Sequence, residues 1–104
     1  RLGSYDCEIE VGTKAFSVYR KKNISERHRH RYEVNNKFVK NMKKNGLTFS
    51  GFNKKLGVVE IIELKNHPWF VGCQFHPELK SRVDKAHPLF REFIKASLKE
   101  SLKK

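Results

Sequence analysis

Val58-Val59-Glu60-Ile61-Ile62-Glu63-Leu64, a turn at Asn66-His67-Pro68, and then Trp69-Phe70-Val71-Gly72-Cys73-Gln74-Phe75 form the stretch on which the fold turns. The first run is rich in β-branched and aliphatic residues and holds no Gly or Pro, which predicts a strand. The second is aromatic and β-branched and predicts its partner. With so short a link, the two strands are expected to pair as an antiparallel hairpin. Downstream, Pro88 suits the first turn of a final helix carrying Phe90, Phe93, Ile94 and Leu98 on one face. The tail, Lys99 to Lys104, reads as frayed.

Upstream, residues 1–9 read as a short extended segment anchored by Leu2 and Ile9. Thr13 is placed to cap a helix running to Arg20, with Ala15, Phe16 and Tyr19 as its buried face. Ile24 to Val34 suits an extended segment ending in Tyr32-Glu33-Val34. Asn35-Asn36 offers a cap for a helix with the stripe Phe38, Val39 and Met42, and Gly46 stops it. Leu47-Thr48-Phe49 predicts a strand that ends at Ser50-Gly51. The expected arrangement is α/β or α+β, with helices set against a sheet that includes the hairpin. No repeat or linker divides the chain, and its 104 residues suit a single domain or a piece of one. Because it opens on Arg1, a piece of something larger is expected.

Charge sets a second bound. With 23 Lys+Arg against 11 Asp+Glu, the net charge of +12 makes polyanions conceivable partners. The lysines, however, are scattered as Lys21-Lys22, Lys43-Lys44, Lys54-Lys55 and Lys103-Lys104, which fits a solvated surface. One exception is Glu26-Arg27-His28-Arg29-His30-Arg31. In extended chain its arginines fall on one face and its histidines on the other. A nucleic-acid-binding module is therefore the alternative reading, since three arginines in a row can grip phosphates. No apolar run approaches the roughly 20 residues a membrane helix needs, so no membrane association is expected. The opening residues lack the apolar core of a signal peptide. Cys7 and Cys73 form no C-x-x-C pair, which disfavours a disulfide framework or zinc finger and suits a reducing, cytoplasmic setting. His28 and His30 with a cysteine lack a second ligand pair at a zinc spacing, so no metal site is expected.

Chemistry concentrates at His76-Pro77-Glu78. Proline keeps His76 extended. In extended chain, residues i and i+2 share a side, with about 6.6–7 Å between Cα atoms. Glu78 can then accept a hydrogen bond from His76, fix its tautomer and leave the other nitrogen as a general base. That is two-thirds of a nucleophile–His–acid arrangement.

The run Trp69 to Glu78, with its F-H-P-E element, resembles the C-terminal catalytic segment of class I (triad) glutamine amidotransferases. The run Glu26 to Asn35, together with Arg1-Leu2-Gly3, Val59-Glu60-Ile61-Ile62-Glu63 and His87-Pro88-Leu89-Phe90, resembles the CTP synthases within that class. The resemblance spans nearly the whole chain except Lys99–Lys104. It implies the C-terminal portion of a flavodoxin-like amidotransferase domain over residues 1–104. It also implies that His76 activates a cysteine nucleophile, that Glu78 orients His76, and that Arg31 holds the substrate glutamine. A guanidinium suits a carboxylate through its planar fork. The family releases ammonia from glutamine and uses ATP, with Mg²⁺, to aminate UTP to CTP in a separate synthetase domain. Its members respond to GTP, are inhibited by CTP and form homotetramers.

The departures are as informative. The family nucleophile sits in a G-x-C-x-G-x-Q turn, which this sequence lacks. Cys7 has no glycine turn around it, and Cys73, among Val71, Gly72, Gln74 and Phe75, reads as a small packing residue. The nucleophile-bearing half, the glycine-rich oxyanion loop and the synthetase domain are therefore expected outside these 104 residues. The chain alone is expected to hold no cofactor and to hydrolyse no glutamine.

Overall fold

The computed structural model describes residues 1–103. Strands β1 (Leu2–Ile9), β2 (Asn23–Arg29), β3 (Leu47–Asn53), β4 (Val58–Leu64) and β5 (Val71–Cys73) form one sheet in the order β2-β1-β3-β4-β5. Every neighbouring pair is antiparallel. Helices α1 (Lys14–Tyr19), α2 (Val39–Lys44) and α3 (Pro88–Leu102) complete the α/β fold, with 3-10 turns at Asn36–Phe38 and Pro77–Leu79. The expected hairpin is β4–β5, with Ile61 opposite Cys73 and Glu63 opposite Val71.

One side of the sheet carries the core. Cys7 and Ile9 of β1, Ile61 of β4, Phe75, Ala15 and Val18 of α1 and Leu89 of α3 form a single buried cluster. Fully burying a side chain such as Ile61 contributes about 1.5–3 kcal/mol. Thr13 caps α1 as its sequence predicts, its hydroxyl accepting from the Phe16 N–H at 3.1 Å. Glu63 adds what the sequence alone does not suggest. It is buried on β4, and its carboxylate accepts the N–H groups of Lys14 (2.7 Å) and Ala15 (3.1 Å). A negative charge at that end also suits the helix dipole.

Several boundaries differ from expectation. Tyr32-Glu33-Val34 is not strand: β2 stops at Arg29, and Glu33 instead pairs with the Arg1 guanidinium at 2.8 Å. β3 runs on through Ser50-Gly51 to Asn53, because a bulge at Gly51 absorbs the irregularity without ending the ladder. β5 keeps only three residues, although the Gln74 N–H still reaches the Glu60 carbonyl at 2.8 Å. In α1 the buried residues are Ala15 and Val18, with Phe16 and Tyr19 packed beside them and half-buried. The stripe Phe38, Val39, Met42 buries none of its members fully. Helix α3 continues through Leu102 where fraying was expected, and Lys104 lies outside the described residues. Its apolar residues Phe90, Phe93, Ile94 and Leu98 are exposed, and only Leu89 is buried. Among the described residues no helix is long and apolar enough to cross a membrane.

Candidate functional site

His76 leaves the end of β5 in extended conformation (φ −108°, ψ 90°), as the following proline requires. Its backbone N–H donates to the Arg27 carbonyl at 2.8 Å, fastening the loop after β5 against β2. Pro77 then opens the 3-10 turn Pro77–Leu79. Glu78 comes back to His76 through this turn, not through extended spacing, and its Oε1 lies 2.8 Å from His76 Nδ1. The pairing is the one the spacing suggests, reached by a different backbone path. The other ring nitrogen, Nε2, lies 3.1 Å from the Arg29 carbonyl. Both neighbours are acceptors, so an imidazolium satisfies both contacts whereas a neutral ring donates to only one. Both side chains are about half exposed, at 43% and 52%, so the pair faces solvent and is open to a reacting group.

Arg31 lies two residues beyond Arg29, exposed, and among the described residues its guanidinium makes no ion pair or side-chain hydrogen bond. The strand before it alternates as the sequence predicts: Glu26 and His28 point inward, Arg27 and Arg29 outward. The histidines join a polar network. His28 Nδ1 meets His30 Nε2 at 2.8 Å, and His28 Nε2 lies 2.8 Å from Glu60 Oε2, with both side chains wholly buried. Arg1 donates to both Glu33 and Glu60 and stacks over the Tyr5 ring at 5.0 Å. Burial, with the Arg1 charge beside it, lowers His28 to about 4, so its ring is neutral at pH 7. Burial raises Glu60 against the pull of Arg1, and the Arg1 hydrogen bond lowers Glu33. Tyr32 is exposed, while Trp69 packs against the core.

A second buried group lies where β2 meets α3. Glu26 Oε2 accepts from the Tyr19 hydroxyl and from His87 Nε2, each at 2.5 Å. Burial works against the Glu26 charge, but the His87 and Tyr19 hydrogen bonds outweigh it and hold the carboxyl below its usual range. An open cavity of about 920 Å³ adjoins this group, rimmed by Lys21, Lys80, Arg82 and Asp84, and does not reach His76.

The cysteines are packing residues, as their sequence context indicates. Burial raises both Cys7 and Cys73 to about 12, far from a reactive thiolate. Among the described residues no three His, Cys, Asp or Glu side chains are grouped to hold a metal ion. Sequence reasoning passed over Glu26, Glu60, Gln74 and His87. The available signal was a carboxylate inside an apolar run: Glu60 stands between Val59 and Ile61, where a charge is buried only with partners.

The chain is 55% identical over 104 residues to the CTP synthase of Bacillus subtilis (strain 168), covering 100% of this chain and 19% of that protein. It is 60% identical over 97 residues to the CTP synthase of Pelodictyon phaeoclathratiforme, covering 93% of this chain and 17% of the relative. The chain therefore spans about one fifth of the length of these curated relatives. The glutaminase domain of Trypanosoma brucei CTPS with bound acivicin superposes with a TM-score of 0.89 at 33% identity, over 94% of this chain and 39% of that one. These likenesses give the nucleic-acid-binding alternative no support. The family model for glutamine amidotransferase class-I matches residues 3–96, and on that match the chain belongs to the class-I glutamine amidotransferases.

Proposed function

We propose that these residues are the C-terminal part of the amidotransferase domain of a CTP synthase, and that His76 and Glu78 are the base and the orienting acid of its Cys-His-Glu triad. The observation that carries the reading is the 2.8 Å contact between His76 Nδ1 and Glu78 Oε1 at an open strand end. The cysteine nucleophile and the oxyanion donors come from a part of the protein outside this chain. His76 takes the thiol proton, the thiolate attacks the side-chain carbonyl carbon of glutamine, and His76 returns the proton to the departing ammonia. Water then hydrolyses the glutamyl thioester, with the same histidine as base. Glu78 stabilises the imidazolium formed in each half of the cycle. Arg31, its guanidinium free among the described residues, holds the α-carboxylate of glutamine.

The ammonia passes to a synthetase domain that uses ATP with Mg²⁺ to aminate UTP. GTP and CTP act on the whole protein, a cytoplasmic homotetramer. No residue of this chain is assigned to ATP or Mg²⁺. The test is made in the complete protein, comparing glutamine with free ammonia as nitrogen donor. His76→Ala lowers glutamine-dependent CTP formation about 100-fold or more, while ammonia still supports it. Equal loss with both donors would show that His76 is structural and overturn the assignment.

A further inference from the structure

Two side-chain donors converge on one backbone oxygen next to Arg31. Gln74 Nε2 donates to the Tyr32 carbonyl at 2.5 Å, and His30 Nδ1 lies 2.9 Å from the same oxygen. A carbonyl only accepts, so His30 carries its proton on Nδ1 and its Nε2 is an acceptor. Among the described residues the group facing that nitrogen is His28 Nδ1 at 2.8 Å, which must then donate, while His28 Nε2 lies 2.8 Å from Glu60 Oε2 without a hydrogen bond between them. The relay thus runs one way, from the buried His28 through His30 to the Tyr32 carbonyl. Beyond it, the two-pronged Arg1–Glu33 pair holds the next residue. The backbone after Arg31 is fixed on one side from His28 of β2 and from Arg1, and on the other from Gln74, just past β5.

Gln74 is the member of this set that belongs to the segment carrying His76. It lies two residues before His76, and its own N–H is tied to the Glu60 carbonyl at 2.8 Å. We propose that Gln74 is a positioning residue, clamping the Tyr32 carbonyl so that the loop bearing Arg31 is held in register with the segment bearing His76. The inference rests on the reading of Arg31 as the glutamine-carboxylate contact. A glutamine is required because the clamp needs a neutral donor: a carboxylate of the same size would face the Tyr32 oxygen with like charge, and an apolar chain would leave one donor where there were two. The clamp acts on binding alone, since the groups that move protons at His76 do not touch Gln74.

The experiment uses the complete protein and compares Gln74→Glu, Gln74→Met and Arg31→Ala with the parent, varying glutamine and, separately, ammonia. Both Gln74 variants raise KM for glutamine about tenfold, with kcat within about twofold and ammonia-dependent CTP formation retained. An unchanged glutamine KM in either folded Gln74 variant, beside a raised one in Arg31→Ala, overturns the clamp and leaves the function standing. Parallel loss of glutamine- and ammonia-dependent rates also overturns it, because Gln74 would then be structural. An unchanged glutamine KM in Arg31→Ala overturns the reading of Arg31 and the clamp with it.

Discussion

Glu26 and His87, 61 residues apart in sequence, meet at 2.5 Å, with His87 Nε2–H donating to Glu26 Oε2. The tautomer is set by the other ring nitrogen, which accepts the Leu89 N–H at 3.1 Å and so caps α3. One imidazole thus satisfies a helix end and a buried carboxylate. His87→Ala loses both, and thermal or denaturant unfolding is expected to show a loss of about 2–4 kcal/mol. His87→Asn keeps a capping oxygen and is expected to lose less. Equal losses in the two variants would show that the cap contributes nothing.

The Glu26 carboxyl also sets an acid limb. Its folded-state pKa lies below the ordinary 4.5, and so does that of Glu33, held down by the Arg1 hydrogen bond. Below pH 4.5 the unfolded chain binds protons that the folded chain refuses, so stability present above that pH is lost as pH falls through the folded values. Glu26→Gln is expected to be less stable at neutral pH and to show a shallower loss below pH 4.5. An unaltered acid limb in the variant would assign the effect to other carboxylates.

Orientation by Glu78 separates from the role of His76 itself. Glu78→Gln still meets His76 but cannot stabilise an imidazolium. Glutamine-dependent turnover is expected to fall by about 10²–10⁴-fold with the ammonia-dependent rate retained. Steady-state rates with the two nitrogen donors decide it, and a fall shared by both would point to a fold defect.

Cys7 and Cys73, both near pKa 12 against an ordinary 9.0, carry about a thousandfold less thiolate than a free cysteine at pH 8. A thiol reagent followed by absorbance is expected to leave both unlabelled in the folded protein and to label both in denaturant. Rapid labelling of either in the native state would mean that the core opens at that site.

Gly51 lies at the β3 bulge, where an added Cβ would come within 2.7 Å of Ile61 Cγ1 and 2.9 Å of Cys7 Sγ. Both neighbours are fully buried and have no room to retreat. Gly51→Ala is expected to cost about 1–3 kcal/mol by chemical denaturation. A neutral result would show that the bulge relaxes.

Much of the architecture was legible because local rules sufficed. The β4–β5 hairpin follows from two apolar β-branched runs and a short turn, the α1 start from Thr13, the α3 start from Pro88, and the opposite faces taken by His28 and the arginines of β2 from period-2 alternation. The pairing of His76 with Glu78 was readable from spacing, although the turn that makes it was not. Where the reading failed, at Tyr32–Val34 and at Gly51, long-range partners override local propensity: Arg1 takes Glu33, and Ile61 and Cys7 close over the glycine.

The class of fold, the strand that delivers His76 and the likeness to the amidotransferases are written in residue type and near-neighbour spacing. Folding alone brings Glu26, His87 and Tyr19 together, sets Glu60 beside His28, and converges Gln74 and His30 on the Tyr32 carbonyl. A buried polar group must find its partner wherever the folded chain brings one, and nothing in a one-dimensional spacing fixes which distant residue that will be.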